Sequence, residues 1–215
     1  MIKLVTFDLD GVLVDACEWH RIALNESLKE ICDYEISLED HYKIFNGIPT
    51  KVKLNKLTEM GILEKEKHEQ VYKLKQEKTV KIISENANLR QEKIDLINWL
   101  KEKQLHVACY TNSIRMTADL MLERTGILNL FELVVTNQDV ENPKPHPEGY
   151  LKVLEHFKVE KSSMLIIEDS PKGIAAATAS GCHIIQVRNP DDVCIELFNS
   201  YFKEHVSEDF NSHGG

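Results

Sequence analysis

The run Phe7-Asp8-Leu9-Asp10-Gly11-Val12-Leu13-Val14-Asp15 sets two aspartates one residue apart, where the hydrophobic segment Ile2 to Phe7 gives way to a glycine turn. A carboxylate that ends a buried strand is expensive to desolvate unless it is paired or binds a cation. Strand side chains repeat with period two, so both acids emerge on one side if the extended backbone persists. They would then lie at the strand's carboxyl end, where open α/β sheets bind their ligands. For a lone Asp-Gly, an ordinary strand followed by a turn would be the better reading.

Three further polar strings change the balance: Thr111-Asn112-Ser113, Asn142-Pro143-Lys144-Pro145-His146-Pro147 and Glu168-Asp169-Ser170. The first and third end hydrophobic segments, and the second holds a lysine between prolines just ahead of a helix. Asp8 and Asp169, with Glu168 as a further candidate, offer the hard oxygens that Mg2+ prefers. Without a cation, carboxylates gathered in one crevice would raise each other's pKa. A carboxylate can attack phosphorus to give an acyl phosphate, which divides one difficult hydrolysis into two easier steps. Asp8 is read as that nucleophile. Asp10 is read as the acid that protonates the departing alkoxide and then deprotonates the attacking water. The Thr111 hydroxyl, with the backbone N–H groups of Asn112 and Ser113, can hold phosphoryl oxygens. Lys144 brings a compact positive charge to the same oxygens and to Asp8.

The elements that must carry these residues fall into two parts. From Asp15 to about residue 85 the patterns are helical: Cys17 to Ile31, Leu38 to Phe45, Lys51 to Met60 and Lys65 to Ser84. Ser37 with Asp40 reads as a helix start, and Met60-Gly61 as a stop. Beyond residue 90, helices over Gln91–Lys103, Arg115–Arg124, Pro147–Phe157 and Lys172–Ser180 alternate with strands over Leu105–Tyr110, Leu133–Thr136, Met164–Glu168 and His183–Val187. That alternation predicts an α/β fold with a parallel sheet. The strand Ile2–Phe7 belongs to the same sheet, so the helical block is an insertion. The expected division is a core of residues 1–14 and 86–215 and a helical cap of residues 15–85. Two connections, near Asp15 to Glu18 and near Ser84 to Leu89, are what a hinged lid requires. The polar tail Ser207 to Gly215 is expected to fray.

Composition narrows the class. A chain of 215 residues with 42% hydrophobic content suits one large domain, or a core with a small insert. No apolar stretch approaches a membrane span and no basic leader precedes a greasy one, so a cytoplasmic address is expected. The five cysteines are odd in number and lack Cys-x-x-Cys spacing, and the nine histidines form no His-Glu-x-x-His, so neither a disulfide framework nor zinc is suggested. A net charge of −9 argues against a general nucleic-acid binder. Residues 51–81 run against the trend, with nine lysines and five glutamates. An anionic small molecule could be drawn there, although lysines on a solvated helix face are the plainer reading.

Taken together, Asp8-Leu9-Asp10-Gly11, Thr111-Asn112-Ser113, Lys144-Pro145-His146-Pro147 and Ile167-Glu168-Asp169-Ser170-Pro171-Lys172-Gly173-Ile174-Ala175-Ala176-Ala177 resemble the four ordered motifs of the haloacid dehalogenase superfamily. Within it the chain is similar to the branch containing β-phosphoglucomutase and phosphoglycolate-phosphatase-like enzymes, over nearly its whole length. The resemblance implies a Rossmann-like parallel-sheet core with an inserted helical cap. It implies Asp8 as nucleophile, and Asp10 as acid/base that also lends its main-chain carbonyl to Mg2+. Thr111 and Lys144 would grip the phosphoryl group, and Asp169 with Glu168 would complete the metal site. Dehalogenases of the superfamily lack the second aspartate, because a halide leaves without protonation, so Asp10 favours phosphoryl transfer.

The expected activity is therefore a Mg2+-dependent phosphatase acting on a small phosphorylated metabolite through a phosphoaspartate. A β-phosphoglucomutase-like mutase is the alternative, and a non-catalytic binding protein on the same fold the third reading. No nucleic-acid or membrane partner is expected, and the chain should be a monomer or weak dimer. Besides Asn112 and Ser113, the substrate-binding candidates lie in the cap. His20 begins the first cap helix, where β-phosphoglucomutase-like proteins have a similar histidine, and a helix-face residue bonded to solvent is an equal alternative. Lys75 aligns loosely with a cap lysine of that enzyme, and its plainer reading is a solvated lysine. In Phe45-Asn46-Gly47-Ile48-Pro49-Thr50-Lys51, mutases often carry an arginine soon after the glycine to grip a second phosphate; here Thr50 stands there, followed by Lys51. That departure weakens the mutase reading.

Overall fold

The computed structural model describes residues 1–45 and 48–211. Asn46 and Gly47, part of the cap stretch weighed above, and residues 212–215 lie outside the described residues. The chain divides into two compact units, Met1–Asp15 with Leu89–Gly215, and Ala16–Asn88.

The first unit is built on five strands, β1 (Leu4–Phe7), β2 (His106–Tyr110), β3 (Leu133–Val135), β4 (Met164–Glu168) and β5 (His183–Gln186), in the order β3-β2-β1-β4-β5. Every pairing is parallel. β1 and β4 are buried along their whole length, which is why both read as unbroken apolar runs. The strand order reverses at β1 and β4, and their carboxyl ends open at that switch point.

The second unit holds α1 (Cys17–Cys32), a short turn α2 (Leu38–Asp40) running into a π-helix over His41–Phe45, α3 (Thr50–Glu59) and α4 (His68–Asn86). Ser37 caps α2, accepting the Asp40 N–H at 3.0 Å. Its core gathers Leu24, Leu28, Ile36, Phe45, Leu54, Leu57, Leu63 and Val71. Asn25 fixes the chain after α1, donating to Ile36 O at 3.0 Å and accepting the Ile36 N–H at 3.2 Å.

The sheet unit adds α5 (Gln91–Glu102), α6 (Arg115–Arg124), α7 (Glu148–Phe157), α8 (Pro171–Ser180) and α9 (Ile195–Asn211). On α5 the buried positions Lys93, Leu96, Ile97 and Leu100 keep helical spacing. On one face of the sheet Tyr150, Val153 and Leu154 of α7 and Ala176 and Ala177 of α8 pack on Leu4, Ala108, Tyr110, Met164 and Ile166.

Helix α9 is a correction, because the sequence reading assigns no element there and expects fraying from Ser207. The helix runs to Asn211. Aromatic packing anchors it, with Phe198 fully buried 5.9 Å from the Phe7 ring and Phe202 stacked at 6.4 Å on Trp99. All five cysteines are free thiols. Among the described residues no helix is long and apolar enough to cross a membrane.

Candidate active site

Strand register assembles the centre of the site. β1 pairs Phe7 with Cys109 on one side and with Ile167 on the other, and the ladder continues with Asp8 N–H donating to Ile167 O at 3.0 Å. One step further along, Asp8, Tyr110 and Glu168 therefore share a level on three neighbouring strands. With a side-chain period of two, Asp8 and Glu168 point to the same face as Leu4 and Met164, the face covered by α7 and α8. The Lys144 ammonium meets all three residues, donating to Asp8 Oδ1 at 2.7 Å, Tyr110 O at 2.9 Å and Glu168 Oε1 at 2.5 Å. It also lies 4.8 Å from the Tyr110 ring centroid and 5.4 Å from that of Tyr150. Asn112 aligns the lysine by clasping its backbone, donating to Lys144 O and accepting the Lys144 N–H, each at 3.0 Å.

Asp10 occupies the turn beyond β1, closed by Gly11 N–H donating to Val14 O at 2.7 Å. Its Oδ2 accepts the hydroxyls of Ser113 at 2.9 Å and Thr111 at 3.2 Å. The Ser113 N–H, read above as a phosphoryl donor, donates to Thr111 Oγ1 at 3.0 Å. In this arrangement the Thr111-Asn112-Ser113 string orients Asp10 and Lys144.

The third strand end closes the cluster. One ligand oxygen from each of Asp8, Glu168 and Asp169 lies within 4.8 Å of the others. Gly11, at φ +89°, brings the first motif against this group, and a Cβ there would stand 2.2 Å from Asp169 Oδ2. Gly173 in α8 leaves room for Glu168 in the same way, with 1.8 Å from a virtual Cβ to Oε1.

Four carboxylates, Asp8, Asp10, Glu168 and Asp169, thus lie at one edge of the sheet, and one buried ammonium bonds two of them, Asp8 and Glu168. Burial, reinforced by Glu168, holds the Asp8 carboxyl well above its ordinary range, and the same causes push Asp169 up to about 6. Burial opposes the charge on Lys144, but Asp8 and Glu168 outweigh it and hold the ammonium well above the usual lysine range. Asp169 Oδ1 is buried and accepts no hydrogen bond. A set of hard oxygens whose negative charge one lysine offsets only in part, with Asp169 Oδ1 orphaned, fits a divalent cation such as Mg2+.

Glu168 is the most constrained member. Its Oε1 accepts from Lys144 and from the Tyr150 hydroxyl at 2.9 Å, and its Oε2 from the N–H groups of Asp169 and Ser170 at 3.1 and 3.3 Å. Tyr150 escaped the sequence reading because Tyr150, Val153, Leu154 and Phe157 look like an ordinary apolar helix face. Burial holds its hydroxyl well above the usual tyrosine range, so it stays protonated and donates.

In the helical unit, Lys75 Nζ lies 3.2 Å from His20 Nδ1. Lys75 is only 7% exposed and Lys53 only 8%, so the solvated reading is corrected for both, whereas Lys51 is exposed. On α4 the buried stripe is Val71, Lys75, Thr79 and Ile83, and the lysine's place in it is what removes it from water.

The sheet order and the acid cluster at its carboxyl edge define a Rossmann-like α/β enzyme core with an inserted helical unit. The chain belongs to the haloacid dehalogenase-like hydrolase family, whose profile matches residues 5–187. It falls in the branch of phosphatase-type hydrolases that contains phosphoglycolate phosphatases and β-phosphoglucomutase-like proteins. It is 30% identical over 194 residues to a phosphoglycolate phosphatase of Nitrosospira multiformis, covering 86% of this chain and 83% of that protein. It is 28% identical over 186 residues to a phosphorylated carbohydrates phosphatase of Thermotoga maritima, covering 84% and 82%. In fold it is similar to the crystal structure of a β-phosphoglucomutase from Clostridium difficile, with a TM-score of 0.79, 21% identity and coverage of 96% and 100%.

Proposed function

We propose that the chain is a Mg2+-dependent phosphatase that hydrolyses a small phosphorylated metabolite, a sugar phosphate or similar monoester, through a phosphoaspartate on Asp8. The observation that carries this reading is a nucleophile-type carboxylate, Asp8, in contact with Lys144 at 2.7 Å and within 4.8 Å of the ligand oxygens of Glu168 and Asp169. Asp8 attacks phosphorus as the ester oxygen departs, and Asp10 protonates that oxygen. Asp10 then takes a proton from the water that attacks the phosphoaspartate, which releases inorganic phosphate and restores Asp8. Thr111 and Ser113 hold the Asp10 carboxyl in one orientation for both transfers. Lys144 places its charge where phosphoryl oxygens gain negative charge.

Asp8 and Asp169, with Glu168 and the Asp10 carbonyl, would hold Mg2+, which supplies the charge that lets a phosphate dianion approach a carboxylate. His20, Lys51 and Lys75 are the substrate-side candidates of the helical cap. Similarity to a phosphoglycolate phosphatase and a phosphorylated carbohydrates phosphatase supports this substrate class. The mutase alternative is not carried forward, because Thr50 stands where a distal-phosphate arginine is expected. The enzyme is assigned to the cytoplasm, as a monomer or weak dimer, without nucleic-acid or membrane partners.

A panel of phosphorylated sugars, acids and nucleotides assayed for phosphate release with and without Mg2+ tests the reading. Release from at least one ester, dependent on Mg2+ and abolished by Asp8→Asn, is expected. Undiminished release by Asp8→Asn would remove the nucleophile from the account.

A further inference from the structure

We infer that Tyr150 is a positioning residue of the active site, whose hydroxyl tempers the pull of Glu168 on Lys144 and so keeps the lysine's charge available to the phosphoryl group on Asp8. This role rests on the phosphatase reading above. All three N–H bonds of the Lys144 ammonium are committed, and two of the acceptors are carboxylates in competition: Asp8 at 2.7 Å and Glu168 at 2.5 Å. Asp8 is the one that reacts, so charge drawn toward Glu168 is lost to the reaction. The Tyr150 hydroxyl donates at 2.9 Å to Glu168 Oε1, the same oxygen that accepts from Lys144. In a site where Tyr150 and Glu168 are both fully buried, a second donor on that oxygen spreads its charge and weakens its hold on the lysine. With Oε2 bonded to the N–H groups of Asp169 and Ser170, the hydroxyl also stops the carboxylate from turning toward the lysine.

The fold builds this contact deliberately. Tyr150 sits in the first turn of α7, six residues beyond Lys144, and its ring meets that of Tyr110 edge-on at 4.9 Å. Gly149 permits the approach of α7, since a Cβ there would lie 2.1 Å from Tyr110 Cζ. A phenylalanine at position 150 would fill the same space and preserve the ring contact. The hydroxyl is therefore the part of Tyr150 that this ring packing does not require.

Tyr150→Phe isolates it, and two measurements well below the variant's unfolding midpoint read the consequence. The first is turnover of whichever ester the wild type hydrolyses, where kcat should fall about tenfold and KM stay within about twofold. The second is calorimetric titration with beryllium trifluoride in the presence of Mg2+, a phosphoryl mimic that caps an aspartate carboxylate oxygen and requires no turnover. Its Kd should weaken about tenfold, because Lys144 is held back by Glu168. A purely structural tyrosine would lower the unfolding midpoint and leave both constants of the folded protein alone. Values of kcat and Kd within about twofold of wild type would overturn the inference while leaving the phosphatase reading intact. If the wild type released phosphate from no ester, that reading would fail, and the beryllium trifluoride titration would still decide Tyr150. No binding of the mimic by the wild type would count against Lys144 as a phosphoryl ligand, and so against Tyr150 as its regulator.

Discussion

Gly11 is a position where the absence of a side chain decides whether a site forms. Its φ of +89° is one that L side chains avoid, and a methyl group there would meet Asp169 Oδ2 at 2.2 Å. Gly11→Ala should weaken Mg2+ binding by at least about tenfold in calorimetric titration, because Asp169 must move. Gly61→Ala is the control: φ is +74° but nothing lies within 4 Å, so only backbone strain of about 1 kcal/mol is added and Mg2+ affinity should not change. Lys144 acts in the opposite sense, by presence. Removing the ammonium in Lys144→Met leaves buried Asp8 and Glu168 facing each other without a cation. Urea unfolding without Mg2+ should then show a loss of about 3–5 kcal/mol, far more than a surface lysine is worth.

Elements bring such residues to their places, and their ends carry much of the work. Ser170 caps α8 by accepting the Gly173 N–H at 3.1 Å, and its own N–H bonds Glu168, so one residue both starts a helix and steadies the site. Ser170→Ala should cost about 1 kcal/mol in the unfolding free energy measured in urea. In the helical unit, His41 opens the π-helix against Lys53 and the Glu18–Arg21 pair. Burial, then the charges of Lys53 and Arg21, lower its pKa from 6.5 to about 4, with Glu18 acting the other way. The unfolded chain takes up a proton in that window and the folded chain does not, so stability falls as pH drops from about 6.5 toward 4. Comparison with His41→Gln separates this from every other group. The variant should lose about 1–2 kcal/mol less than wild type between about pH 7 and about pH 5.

At the scale of the whole molecule, the acids at the sheet's carboxyl edge repel one another, and Lys144 bonds only Asp8 and Glu168 among them. A cation that binds only the folded state should raise stability by about 2.7 kcal/mol at a free concentration near a hundredfold above Kd, or roughly 5–10 °C in midpoint for a chain of this size. Thermal melts with Mg2+ and with a chelator measure the difference. Asp169→Asn should be at least as stable as wild type without Mg2+ and gain little from it, since it removes both repulsion and ligand. Much of this was legible in the residues. The alternation of apolar runs and helical patterns predicted the parallel sheet, and Asp8, Lys144 and Asp169 stood at segment ends where a site could form. The sequence misjudged α9, whose Phe198 and Phe202 matter only once Phe7 and Trp99 lie beside them. It misjudged Lys75, because charge along a helix says which residues prefer water and not which face another helix will cover. Apart from α9, local pattern alone determined the main helices and strands, their order and the chemical types at their ends, since hydrophobic periodicity and turn chemistry act between near neighbours. Only the tertiary structure decided that Asp8, Tyr110 and Glu168 share one level under Lys144 and that Tyr150 touches Glu168. Those contacts depend on strand register and side-chain direction between residues as far as 136 positions apart, which no local pattern encodes.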